Sequence, residues 1–297
     1  MALFQGLSAF PITPADAEGR VDAGALRVLL ERLADAGVGS VGLLGSTGTY
    51  PYLTRAERRR AVEAAVDQVG GKVPVMVGIG ALRTDEAVRL GQDAKGAGAD
   101  AVLLAPVSYA PLTDEEVFSH FAAVAEAVGL PLCIYNNPST THFTFSDELI
   151  ARLSRVPHIA AVKNPAPDAS ALPGGLRSLR AAASPGFSIG YSMDWRAAEG
   201  MLAGGDAWYS VVGGLFPAAC MSIITATEAG HADEARVLNA RLQPLWDLFT
   251  EYSSLRVIYA AVNLLGLCRA APPRPILPLP EDAQRRIGQV LGVLGLA

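Results

Sequence analysis

Lysine is scarce in this chain. Of 24 lysines and arginines in 297 residues, only Lys72, Lys95 and Lys163 are lysine. Cysteine is sparse and unpatterned: Cys133, Cys220 and Cys268 are odd in number, far apart and without a Cys-x-x-Cys pair. That argues against a disulfide framework and for a reducing, cytoplasmic setting in which cysteine serves as a small apolar residue. The four histidines, His120, His142, His158 and His231, share no metal-ligand spacing, so no zinc or calcium motif is read and no metal is expected. No apolar run is long enough to span a bilayer, so no membrane partner is expected. The opening Met1-Ala2-Leu3-Phe4-Gln5-Gly6 lacks the charged start and apolar run of a secretion signal, so none is expected. A net charge of −5 without a strongly basic face argues against a nucleic-acid partner.

What is present is 51% hydrophobic residues, 30 glycines and a regular alternation of short apolar runs with longer amphipathic ones. The runs predict strands at 6–12, 38–44, 73–78, 101–104, 132–135, 159–163, 187–190 and 208–212. Helices are predicted near 22–36, 55–69, 84–97, 114–128, 146–153, 170–182 and 194–203. Thr54 with Glu57, and Thr113 with Glu116, have capping-box spacing, in which hydroxyl and carboxylate satisfy end N–H groups reciprocally. The strands read as apolar throughout, as parallel strands covered on both faces do. Eight strand–helix units argue for a closed (β/α)8 TIM barrel of the α/β class. A doubly wound sheet is the rival, but no Gly-x-Gly-x-x-Gly follows the first strand. Beyond the barrel, helices are predicted at 217–229, 232–252, 254–267 and 281–295, interrupted by the proline-rich segment 272–280. The division expected is a barrel over 1–220 and a helical extension packed on it over 221–297.

Chemistry in such barrels sits at the C-terminal ends of strands. That rule gathers the turn Gly45-Ser46-Thr47-Gly48-Thr49, the segment Pro106-Val107-Ser108-Tyr109, the segment Tyr135-Asn136-Asn137-Pro138, Lys163, Gly190-Tyr191-Ser192 and Tyr209-Ser210-Val211 at one mouth. Arginine cannot give up its proton and attack a carbonyl, whereas a buried lysine can. Lys163 closes the apolar run from His158 and is therefore a candidate Schiff-base nucleophile. The same placement also suits a lysine that merely reaches for water at a strand end. Lys72 precedes its strand and Lys95 lies late in an outer helix, which singles out Lys163. The 45–48 turn offers two hydroxyls and backbone N–H groups to a carboxylate or phosphate, or is an ordinary glycine turn. Tyr135 is either a core aromatic with a wet hydroxyl or a proton shuttle beside the amine.

These residues resemble the N-acetylneuraminate lyase / dihydrodipicolinate synthase family of class I, pyruvate-type aldolases. Three motifs carry the resemblance along nearly the whole chain: Gly45-Ser46-Thr47-Gly48, Tyr135-Asn136-Asn137-Pro138 and Val162-Lys163. It implies a barrel that acts without metal or organic cofactor, as a homotetramer or homodimer, on a small 2-oxo acid such as pyruvate and an aldehyde. By position, Lys163 would form the iminium and Tyr135 would relay protons. Ser46, Thr47 and Gly48 would form the carboxylate turn, while Gly190 and the carbonyl at Tyr209 would line the pocket.

The chain departs from the synthase pattern at several positions. Where an arginine would bind the second substrate's carboxylate, it has Thr140; where a relay tyrosine is usual, it has Ser108, with Tyr109 next to it as a candidate substitute at the substrate pocket. Thr49 and Asn164 replace acidic residues, and bulky Trp208 replaces a small one. Loss of the arginine removes a bidentate carboxylate partner. The expectation is a lyase that cleaves or condenses a 2-keto-3-deoxy sugar acid or a similar 4-hydroxy-2-oxo acid, and excludes aspartate semialdehyde. The alternatives are dihydrodipicolinate synthase itself, a dehydratase of the same family, or a non-catalytic pyruvate-binding homologue. A sugar-phosphate isomerase fares worse, because no Glu or Asp stands at a suitable strand end.

Overall fold

The computed structural model describes residues 3–297. The barrel half runs β1 (Gly6–Ala9), α1 (Ala23–Asp35), β2 (Ser40–Leu43), α2 (Arg55–Val69), β3 (Val75–Gly78), α3 (Thr84–Gly96), β4 (Ala101–Leu104) and α4 (Asp114–Val128). It continues with β5 (Leu132–Tyr135), a short α5 (Pro138–Thr141), α6 (Asp147–Leu153), β6 (Ile159–Pro165), α7 (Leu172–Ala182), β7 (Ser188–Ser192), α8 (Asp194–Leu202) and β8 (Ala207–Ser210). The strands pair in chain order, all parallel, and β8 pairs back onto β1 to close the barrel. The (β/α)8 barrel predicted from the alternating runs is therefore the observed fold.

Alternation along each strand splits the core into two layers. Met76, Ala101, Leu103, Cys133, Tyr135, Ala161, Ala207 and Tyr209 fill the barrel together with Phe10. Their neighbours Val75, Val77, Val102, Leu104, Leu132, Ile134, Val162 and Trp208 join the outer layer under the helices. Burying one such aliphatic side chain contributes about 1.5–3 kcal/mol. This parity decides which way a functional residue points: Ala161 is inside, so Lys163 is also inside.

The extension comprises α9 (Pro217–Glu228), α10 (Ala232–Arg241), α11 (Gln243–Tyr252), α12 (Ser254–Leu264) and α13 (Glu281–Leu294). The expected division at 220/221 falls within α9. The single helix predicted over 232–252 is two helices, because Pro244, in the first turn of α11, cannot donate an N–H. The Thr113–Glu116 capping box forms. At Thr54 only half of one forms: Thr54 accepts from the Glu57 amide, but the Glu57 carboxylate accepts from Val21 N instead, at 2.7 Å. The predicted first strand stops at Ala9 rather than Ile12, while the sixth runs on to Pro165.

Candidate active site

The strand ends open into a cavity of about 360 Å³. Its barrel side is formed by Phe10, Ser46, Thr47, Tyr135, Lys163 and Tyr209, and part of its wall by residues of the helical extension. A neighbouring hollow of about 410 Å³, between the loop after β1 and the 272–278 segment, contains neither Lys163 nor Tyr135.

Lys163 is 3% exposed. In the barrel register it stands beside Tyr135 of β5 on one side and Gly190 of β7 on the other. Its Nζ lies 3.9 Å from the Phe10 ring centre, 4.5 Å from that of Tyr135 and 5.9 Å from that of Tyr209. Phe10 reaches this place because Gly42 and Gly45 leave room; a Cβ at Gly42 would stand 2.3 Å from the ring. Burial pushes the Cys133 thiol up to about 12 and the Tyr209 phenol well above its ordinary value. Both stay protonated at neutral pH, so neither brings negative charge to the amine.

The Tyr135 hydroxyl lies 3.0 Å from Ser46 Oγ and accepts a hydrogen bond from Asn137 Nδ2 at 3.0 Å. With Asn137 donating to the phenol oxygen, the Tyr135 proton is free to point toward Ser46. The 45–48 turn is set by two non-glycine residues in the left-handed region, Leu44 (φ 56°) and Thr49 (φ 53°). Among the described residues, the amides of Ser46, Thr47 and Gly48 donate to no protein acceptor, and of these Ser46 and Thr47 stand at the cavity, which leaves their two N–H groups for an anion.

Five residues singled out in the sequence thus meet in one cavity: Ser46, Thr47, Tyr135, Lys163 and Tyr209. Three do not line it. Gly48 faces Leu44 and Thr13, each within 3.0 Å of where its Cβ would be. Gly190 lies against Tyr209, and a Cβ there would meet that ring at 2.5 Å, so it makes room for the tyrosine. Tyr109 is 98% exposed, carried outward on the loop between β4 and α4, where the Ser108 hydroxyl is turned onto the Ala110 carbonyl.

The sequence reading missed Phe10, Asp194 and Arg256. Asp194 is 3% exposed and lines the cavity, accepting from Trp208 Nε1 at 2.9 Å and from Val212 N at 2.8 Å. Burial raises its pKa, against the pull of those two hydrogen bonds. This partnership explains the bulky Trp208, whose indole anchors the start of α8. The signal for Arg256 was the Ser253-Ser254 break between two helical periods. The described residues contain no group of three His, Cys, Asp or Glu side chains arranged to hold a metal ion.

Fold and site together define a class I aldolase, a carbon–carbon lyase built on a (β/α)8 barrel. The chain belongs to the dihydrodipicolinate synthetase family, whose model matches residues 3–293. It is 36% identical over 286 residues to the 4-hydroxy-tetrahydrodipicolinate synthase of Alcanivorax borkumensis, covering 96% of each chain. Among solved structures, the dihydrodipicolinate synthase of Agrobacterium tumefaciens superposes with a TM-score of 0.96 at 58% identity, covering 98% of each chain. The Acinetobacter baumannii dihydrodipicolinate synthase, solved in complex with pyruvate, superposes with a TM-score of 0.91 at 29% identity, over 99% of this chain and 100% of that one.

Proposed function

We propose that this enzyme joins pyruvate to an aldehyde, or cleaves the resulting 4-hydroxy-2-oxo acid, through a Schiff base at Lys163. The observation that carries the reading is the placement of Lys163: inside the mouth, beside Tyr135, whose hydroxyl is tied to Ser46. In its neutral form Nζ adds to C2 of pyruvate, and the carbinolamine loses water to give an iminium. Loss of a C3 proton gives an enamine, and C3 attacks the aldehyde carbon, whose oxygen takes up a proton. Water then hydrolyses the iminium, freeing the amine and the product. Tyr135 relays protons in these steps. Ser46 and Thr47, with the free amides of their turn, hold the pyruvate carboxylate and orient the ketone toward the amine.

Two aldehydes compete for the second place. The names of the full-length relatives favour aspartate semialdehyde, making the enzyme a 4-hydroxy-tetrahydrodipicolinate synthase. Thr140, where an arginine was expected, favours an aldehyde derived from a 2-keto-3-deoxy sugar acid. The shared first half is tested by treating the protein with pyruvate and borohydride and weighing it intact. One covalent adduct per chain is expected, absent in Lys163→Ala; an unchanged wild-type mass would refute the Schiff base.

A further inference from the structure

Besides Asn137, Ser139 and Thr140, the cavity is lined by residues of the extension. There the chain turns from α11 into α12 through Ser253, a non-glycine residue at φ 70°. The turn brings Ser253, Ser254, Leu255 and Arg256 to the cavity. Arg256 is half-buried and donates from Nη1 to Ser253 Oγ at 3.2 Å. Among the described residues it forms no ion pair, unlike arginines such as Arg20, Arg55, Arg152 and Arg236, each held by a carboxylate.

Three charged groups line the cavity: Lys163, Asp194 and Arg256. Asp194 forms no ion pair with Arg256; its two oxygens accept instead from Trp208 Nε1 and Val212 N. Arg256 also stands in the first turn of α12, where the helix dipole disfavours a cation. A guanidinium placed there, unpaired and facing a substrate cavity, is stabilised by an arriving anion. Its planar fork suits a carboxylate, which it can bind through two parallel hydrogen bonds.

We infer that Arg256 binds a carboxylate on the aldehyde substrate, so that the second substrate is an anionic aldehyde and the joined product a 4-hydroxy-2-oxo diacid. The inference rests on the Schiff-base reading, which places pyruvate at Lys163 and leaves the Arg256 side to the aldehyde. It also reverses the expectation drawn from Thr140 alone: the carboxylate partner lost from α5 is supplied from α12. A phosphate is the competing anion. It is disfavoured because no second cation accompanies Arg256 at that wall.

The test compares succinic semialdehyde, glyceraldehyde and glyceraldehyde 3-phosphate as partners for pyruvate, using wild type, Arg256→Ala and Arg256→Lys. Wild type should prefer succinic semialdehyde. Arg256→Ala should raise its KM by about ten- to hundred-fold, as loss of a charge-assisted hydrogen bond does. The same variant should leave the KM for glyceraldehyde within about two-fold, and Arg256→Lys should recover part of the loss, because it restores the charge without the fork. Each variant is first scored for the pyruvate–borohydride adduct. An adduct at wild-type level shows an intact fold and lysine, so an unchanged KM for succinic semialdehyde then overturns the inference. Preference for the neutral or the phosphorylated aldehyde overturns it as well. Should wild type form no adduct, calorimetry with succinate decides separately: binding lost in Arg256→Ala sustains the carboxylate site while the Schiff-base reading falls, and binding unchanged in Arg256→Ala overturns the inference too.

Discussion

The Lys163 amine rests on aromatic faces, with Phe10 nearest at 3.9 Å. Phe10 is 1% exposed and meets Tyr209 edge-on, so it is both the floor beneath the amine and part of the barrel core. Phe10→Ala should cost about 3–5 kcal/mol of stability, the usual range for a buried aromatic. Urea unfolding measures this, and a loss below about 1 kcal/mol would show that the ring is not packed as described. Lys163, Tyr135, Ser46 and Thr47 were legible in the sequence because a barrel turns strand-end position into spatial convergence. Phe10 was not, because nothing in its neighbours' chemistry marks it. Its place depends on Gly42 and Gly45, two residues of another strand and its turn. Arg256 was hidden for a different reason: it belongs to the extension, for which no strand-end rule exists.

Among the elements, strands were easier to read than helix partners. Short apolar runs located all eight strands, but because those runs are apolar throughout, only the closed barrel shows which side chains face inward. The capping signal was less complete. Thr54-x-x-Glu57 has the right spacing, yet Glu57 is drawn to the Val21 amide, 36 residues away, a contact no local pattern reveals. Long-range ion pairs are likewise invisible in sequence. Arg55 of α2 donates to Asp93 of α3 at 2.9 Å, and this bond holds the Asp93 carboxyl below its usual value of 3.8. A carboxyl with a lowered folded-state pKa contributes stability above its unfolded value and loses it as pH falls through the folded value. Asp93→Asn should therefore destabilise the protein at pH 7, and the gap to wild type should close at a pH well below 3.8, as the lowered folded-state value is passed. Denaturant midpoints at the two pH values check this; a gap independent of pH would assign the loss to packing instead.

For the whole molecule, the outlying residue is Tyr109. It was expected at the pocket and is instead 98% exposed, and Leu82, on the loop before α3, is 67% exposed. An aromatic ring this exposed is free to pack against a second copy of the chain. The enzyme is expected to run as a homodimer or homotetramer in light scattering after size exclusion, and Tyr109→Glu to shift it toward single chains. A single-chain mass for wild type would leave Tyr109 without a part in the site. Such an assembly is the one route by which Tyr109 could approach a reacting centre, since its own chain carries it away from Lys163.

The α11–α12 turn has a consequence for how such enzymes diversify. The groups proposed to make the bond lie on the barrel strands, whereas the turn proposed to meet the partner molecule comes some ninety residues after Lys163, between two helices of the extension. Substrate scope can then drift, or be engineered by exchanging that turn among relatives, while the covalent machinery is inherited intact.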